Sequence, residues 1–107
     1  MKSRQYQPFS RFPAVVEDIA IIVDDGITAA QVQAIIEAFP LVQQATIFDV
    51  YTGPPVPAGK KSLAYRVSYQ SLERSLSNAE VNRGRRRILE RLSREVGAVL
   101  RGPHGKS

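Results

Sequence analysis

A chain of 107 residues is one domain's worth of polypeptide, able to bury ~60–65% of its unfolded surface around a single core. It has no cysteine, which excludes disulfides and thiolate-bound metal, and its longest apolar run, Ile19–Val23, falls far short of the ~18 residues of a membrane span. Lys and Arg number 15 against 10 Asp and Glu, a formal net charge of +5, which favours an anionic partner, nucleic acid first, beside the plain alternative of solubility charge.

Residues 1–11, "MKSRQYQPFSR", are polar and basic and read as an extended arm or linker stub. No charged-then-apolar leader opens the chain, so a soluble, cytoplasmic protein is expected. Pro13 restricts Phe12 to extended geometry, and a domain is predicted over 12–102. In "EDIAIIVDDG", Ile19, Ile21 and Val23 alternate with Asp18, Ala20 and Ile22, a strand stopped by the Asp24-Asp25-Gly26 turn cluster. Thr28 and Gln31 form a capping box, and Val32, Ile35, Ile36 and Phe39 share one helical face, which predicts a helix over 28–39 ended by Pro40.

Ala45–Tyr51 is rich in β-branched and aromatic residues and reads as a second strand. The loop "TGPPVPAGKK" is stiffened by three prolines. In "SLAYRVSYQ", Leu63, Tyr65, Val67 and Tyr69 face one way and Ser62, Ala64, Arg66 and Ser68 the other. Ser77 and Glu80 cap a long helix to about Val96, with Val81, Ile88, Leu92 and Val96 as its apolar stripe. Gly84 lies in that stripe; a close helix-to-sheet approach is one reason for it, chance the other. "AVLR", 98–101, is a short last strand, and the tail 103–107 reads as disordered.

The order β-α-β-β-α-β predicts an α+β, ferredoxin-like sandwich: a four-stranded antiparallel sheet with two helices on one face. The other face is then open. Symmetric closure of the loop 52–61 pairs Tyr51 with Ser62, Asp49 with Ala64 and Phe48 with Tyr65. Paired residues share a face. Phe48 and Val50 are therefore expected in the core with Leu63, Tyr65 and Val67, while Asp49, Tyr51, Ser62, Ala64 and Arg66 lie on the open side. Asp18 and Ala20 join them from the first strand, and Val99 and Arg101 from the last, with Lys60 and Lys61 at the rim. Such a patch suits one flat, polar-edged group: a tyrosine stacks on a base, a carboxylate and a hydroxyl pair with its edge, and an arginine binds a phosphate or base edge. The plain alternative is an open sheet face that is polar merely because it is solvated.

The runs "SRFPAVVEDIAIIVDD", "FDVYTGPPVPAGKKSLAYRVSYQ" and "RSLSNAEV" resemble the C-terminal ferredoxin-fold anticodon-binding domain of the phenylalanine–tRNA ligase β chain over roughly residues 6 to 102. The resemblance implies a non-catalytic domain without a cofactor, packed near the anticodon stem and loop of the phenylalanine tRNA. Its partners would be that tRNA, the remainder of the β chain and the α chain, with no membrane. It maps the contacts to the first anticodon base onto Ala20, Asp49, Tyr51, Ser62 and Arg101. Lys60, Lys61 and Arg66 are further RNA-binding candidates. Glu17 departs from the family, standing where many relatives carry arginine at a possible phosphate contact. In the family this domain follows a larger N-terminal part of the subunit.

Other features point less sharply. Arg83, Arg85, Arg86, Arg87, Arg91 and Arg94 crowd the last helix, where Glu90 is four residues from both Arg86 and Arg94 and Glu95 four from Arg91. Such spacing fits a solvated face; contact with tRNA or another subunit is the alternative. His104 lies in the tail without an acid or nucleophile nearby, so neither catalysis nor zinc is expected there. The loop 52–61 has the wrong glycine spacing for a phosphate-binding loop. Ala20, Ser62, Ala64 and Arg66 stand where a multi-base RNA-recognition motif has aromatics. A ferredoxin-like regulatory module that binds a small molecule as a homodimer is the competing class. Acylphosphatase-like catalysis would need a phosphate-cradling glycine loop paired with an asparagine, a pattern this sequence does not show.

Overall fold

The computed structural model describes residues 12–101, so the expected arm at 1–11 and tail at 103–107 lie outside the described residues. The elements are β1 (Val15–Asp24), α1 (Ala29–Glu37), β2 (Val42–Tyr51), β3 (Lys60–Tyr69), α2 (Asn78–Val96) and β4 (Val99–Leu100). The strands form one sheet in the order β2-β3-β1-β4, with every neighbouring pair antiparallel. This is the ferredoxin-like sandwich that the element order predicts.

Both helices begin where their caps place them. The Thr28 hydroxyl accepts the Gln31 amide at 3.1 Å, and the Gln31 side chain accepts the Thr28 amide at 2.8 Å. Ser77 and Glu80 make the same reciprocal pair at 3.1 and 3.0 Å. Two otherwise orphaned amide donors are thus satisfied at each N-terminus. The backbone bond from Ser77, with Arg74 alongside, holds the Glu80 carboxyl below its ordinary value.

The core lies between the helices and one sheet face. Ile19, Ile21 and Val23 from β1 and Leu63, Tyr65, Val67 and Tyr69 from β3 meet Val32 and Ile36 from α1 and Val81, Ile88 and Leu92 from α2. Its two tyrosines are each satisfied. Tyr65 donates to the Ala29 carbonyl at 2.7 Å, and Tyr69 donates to Glu17 at 2.7 Å. Glu17 pairs with Val67 in the β1–β3 register, which puts it on the helix-covered face. There it also accepts from Arg85 of α2 at 2.6 Å. Glu17 is thus part of a staple between the sheet and α2.

Three expectations are corrected. Phe48 does not pair with Tyr65. Ile47 does, and Asp49 pairs with Ala64, so Phe48 is the extra residue of a β-bulge. Phe48 is consequently 50% exposed, and Val50, although opposite Leu63, is 58% exposed at the loop end of the edge strand β2. The close approach at Gly84 is to Phe39, just past α1, and not to the sheet. A Cβ added there would stand 2.8 Å from the Phe39 ring. Finally, of the spaced charge pairs on α2 only Arg91–Glu95 forms, at 2.6 Å, whereas Arg85 has turned inward to Glu17. Among the described residues Arg83, Arg86, Arg87 and Arg94 have no carboxylate partner.

Two predictions follow from this packing. Burial pushes the Tyr65 phenol up to about 12, and burial together with the bond to Glu17 pushes Tyr69 up as well. Both protons are held more tightly in the folded chain than in the unfolded one. The associated stability is fully present below pH 10 and is lost as pH rises towards 12. Tyrosinate absorbance followed beside circular dichroism should show these phenols ionising together with unfolding; ionisation near pH 10 with the fold intact would contradict their burial. Gly84→Ala should fail to deliver the ~1 kcal/mol that Gly→Ala ordinarily adds in a helix, because the new methyl group displaces the Phe39 ring. Denaturant unfolding should show a neutral to ~2 kcal/mol destabilising change; a gain of ~1 kcal/mol would remove the close contact.

Candidate nucleic-acid interface

Alternation along β3 and β1 decides what faces away from the helices. Asp18 pairs with Arg66, Ala20 with Ala64 and Ile22 with Ser62, while Asp49 and Tyr51 pair with Ala64 and Ser62 from the other side. Ala20, Asp49, Tyr51 and Ser62, four of the five main candidates, converge here, with Arg66 beyond them. The Arg101 amide donates to the Ala20 carbonyl at 2.8 Å, which extends the β1–β4 pairing by one residue. Its guanidinium reaches across β1, with Nη1 donating to the Ser62 hydroxyl at 3.3 Å and Cζ lying 5.5 Å from the centre of the Tyr51 ring.

Tyr51 is 38% exposed and is fixed at its far end, where its hydroxyl donates to the Pro54 carbonyl at 2.6 Å. The proline loop thus has a definite task beyond closing the hairpin. Gly53 supports it with a backbone φ of 112°, a conformation that disfavours a Cβ, and a Cβ added there would stand 3.4 Å from the Tyr51 hydroxyl. A ring held in one orientation loses little freedom when it stacks on something.

Asp49 stands on the same side, exposed, with no hydrogen-bond partner among the described residues. Between it and Arg101 lie the methyl groups of Ala64 and Ala20, a low floor across the two central strands. Ser62 differs from its expected role. It is 2% exposed, covered on the open side, and its hydroxyl is engaged by Arg101. In this arrangement the serine positions the arginine, and it meets another group only if Arg101 swings aside.

The other candidates divide. Arg66 donates to both oxygens of Asp18, at 2.9 and 3.2 Å. That bond and the carboxylate charge keep its guanidinium above the ordinary value for an arginine. Lys60 pairs with Asp24 at 2.6 Å on the open-face side of the β1–β3 register, whereas Lys61 pairs with Val23 and so falls on the helix side. Two open-face residues were missed from sequence. Ile22 follows directly from the alternation of β1. Phe48, whose ring lies 5.0 Å from the Arg66 guanidinium, does not, because the bulge that turns it outward leaves no period-two signature.

Among the described residues no group of three or more His, Asp or Glu is placed to hold a metal ion, and no helix is long and apolar enough to cross a membrane. The face instead offers a fixed ring, two arginines, one unclaimed carboxylate and a floor of small residues. Such a set can stack on a planar group, accept hydrogen bonds from its edge and neutralise an adjoining negative charge.

Residues 10–101 match the model of the ferredoxin-fold anticodon binding domain. The chain is 47% identical over 98 residues to the phenylalanine–tRNA ligase beta subunit of Anaeromyxobacter dehalogenans, covering 92% of this chain and 12% of that protein. It is 47% identical over 100 residues to the beta subunit of Geobacillus kaustophilus, again 92% of this chain and 12% of that one. For Halalkalibacterium halodurans the identity is 44% over 99 residues, 91% of this chain and 12% of its relative. The chain therefore spans about an eighth of the length of these relatives. Strand order, element order and the match across nearly all described residues agree: this chain belongs to the ferredoxin-fold anticodon binding domain family.

Proposed function

We propose that the chain is the anticodon-reading domain of a phenylalanine–tRNA ligase β subunit, and that it binds the anticodon stem-loop of the phenylalanine tRNA on its open sheet face. The observation that carries this reading is the Tyr51 ring, pinned by Pro54 and flanked by Arg101, beside an unclaimed Asp49 carboxylate over the Ala20–Ala64 floor. A splayed-out base stacks on Tyr51. Its donor edge meets Asp49, its bulk rests on Ala20 and Ala64, and Arg101 closes over it. Ser62 sets the arginine's position, and reads the base edge when the arginine moves.

The domain's part in this reading is to bind and orient the tRNA. Aminoacylation belongs to the remainder of the β chain and to the α chain, with which the domain would be assembled in the cytoplasm. Lys60, at the loop end, screens a phosphate there by exchanging Asp24 for a phosphate oxygen; Lys61, on the helix side, takes no part.

Titration of the 107-residue chain with the anticodon stem-loop RNA tests the reading. Tyr51→Ala should cost ~1–3 kcal/mol of RNA affinity and leave thermal unfolding nearly unchanged, since the ring lies outside the core. In the same titrations each phosphate contact should steepen the fall of affinity with salt by ~0.7–0.9 in the log–log slope. Full affinity in the Tyr51→Ala variant would refute the stacking site. Absent RNA binding, with dimerisation driven by an amino acid, would favour the small-molecule module.

A further inference from the structure

The open face carries two aromatic–guanidinium pairs, one on each side of Asp49. At one end Arg101 lies 5.5 Å from the Tyr51 ring; at the other Arg66 lies 5.0 Å from the Phe48 ring. The second pair exists because of the bulge. Ile47 faces Tyr65 and Asp49 faces Ala64, so Phe48 is the residue inserted between them, and its ring lies beside Arg66 on the open face. The Phe48 ring is 50% exposed, so one side of it is open to a further planar group while Arg66 lies against it. Asp18 grips Arg66 through both carboxylate oxygens, which fixes the guanidinium plane beside that ring.

We propose that Phe48 and Arg66 form a second stacking station, which takes the nucleotide next to the one held at Tyr51. The inference rests on the RNA-binding reading of this face and deepens it from one base to two. Tyr51 opposes Ser62, and Phe48 is inserted just before Asp49, the partner of Ala64, so the stations are about two β3 residues apart, ~7 Å along the strand. Stacked bases lie only ~3.4 Å apart, so neighbours bound at both stations must be unstacked from each other. The rings also lead away from one another: Tyr51 is tied towards Pro54 at the loop end, and Phe48 lies towards Arg66 at the opposite end. They are therefore two platforms and not the two walls of one slot. Single-stranded RNA suits such a surface, because splayed bases stack on aromatic and arginine planes alike. Asp49, between the stations, accepts from whichever base edge turns towards it.

The test uses the 107-residue chain and the phenylalanine anticodon stem-loop RNA, with a set of RNAs carrying one abasic nucleotide at each loop position in turn. Phe48→Ala should weaken binding about 5- to 150-fold. Phe48→Trp should restore it, and Phe48→Leu, which keeps apolar bulk without a ring, should not; the Leu variant also serves if Ala disturbs the bulge. The Tyr51→Ala variant should become indifferent to one abasic position and the Phe48→Leu variant to its neighbour. Wild-type affinity in Phe48→Leu, or indifference of both variants to the same position, would overturn the second station while leaving the Tyr51 site standing. Failure of the wild-type chain to bind the RNA would overturn the reading of this face, and the second station with it.

Discussion

β3 runs down the middle of the molecule and is paired along its length on both sides. Its period of two therefore sets the faces of its neighbours as well as its own, because directly paired residues share a face. Leu63, Tyr65, Val67 and Tyr69 are at most 1% exposed, and their partners Ile19 and Ile21 follow them inward. Both β-α-β connections join parallel strands of one sheet, and the usual right-handed crossing brings both helices to the same side. The opposite face is left uncovered by topology. A slip of one residue along β3 would bury Arg66 and expose two tyrosines, so the register is strongly specified.

That arrangement separates two chemistries. On the covered face the polar groups are few and mutually satisfied: Glu17 joins Arg85 of α2 to Tyr69 of β3, so the helix is tied to the sheet by charge as well as by packing. On the open face the polar groups are held but not exhausted. Arg101 is steadied by Ser62, Tyr51 by Pro54 and Arg66 by Asp18, while the Asp49 carboxylate stays available. Groups positioned in advance bind a ligand without the cost of ordering themselves. The outer face of α2, with Arg83, Arg86, Arg87 and Arg94, is the other positive surface. It lacks rings and floor, so it offers charge without the means to recognise a base.

Much of this was legible in the sequence, for local reasons. Alternation in "SLAYRVSYQ" and "EDIAIIVDD" marks both central strands, and the two capping boxes mark both helix starts to the residue. Tyr51–Ser62 and Asp49–Ala64 follow from closing the hairpin next to its loop. Beyond Asp49 the same counting fails. A bulge inserts a residue that no periodicity announces, so counting alone puts Phe48 in the core and hides its pair with Arg66. A stripe position such as Gly84 says that something is close but not what; it is the Phe39 ring. Glu17 is different: it has the parity of Ile19 and Ile21, so the alternation already put it under the helices. The i,i+4 charges around Glu90 misled because spacing permits a pair without requiring one.

The central claim is that RNA lies on the uncovered side of the sheet. Amide and side-chain NMR shifts of the labelled chain, followed during addition of the anticodon stem-loop, test it most directly. The account predicts that the largest changes fall on Ala20, Asp49, Tyr51, Ala64 and Arg101, with the outer residues of α2 unmoved. Changes confined to Arg83, Arg87 and Arg94, with those five residues silent, would contradict it.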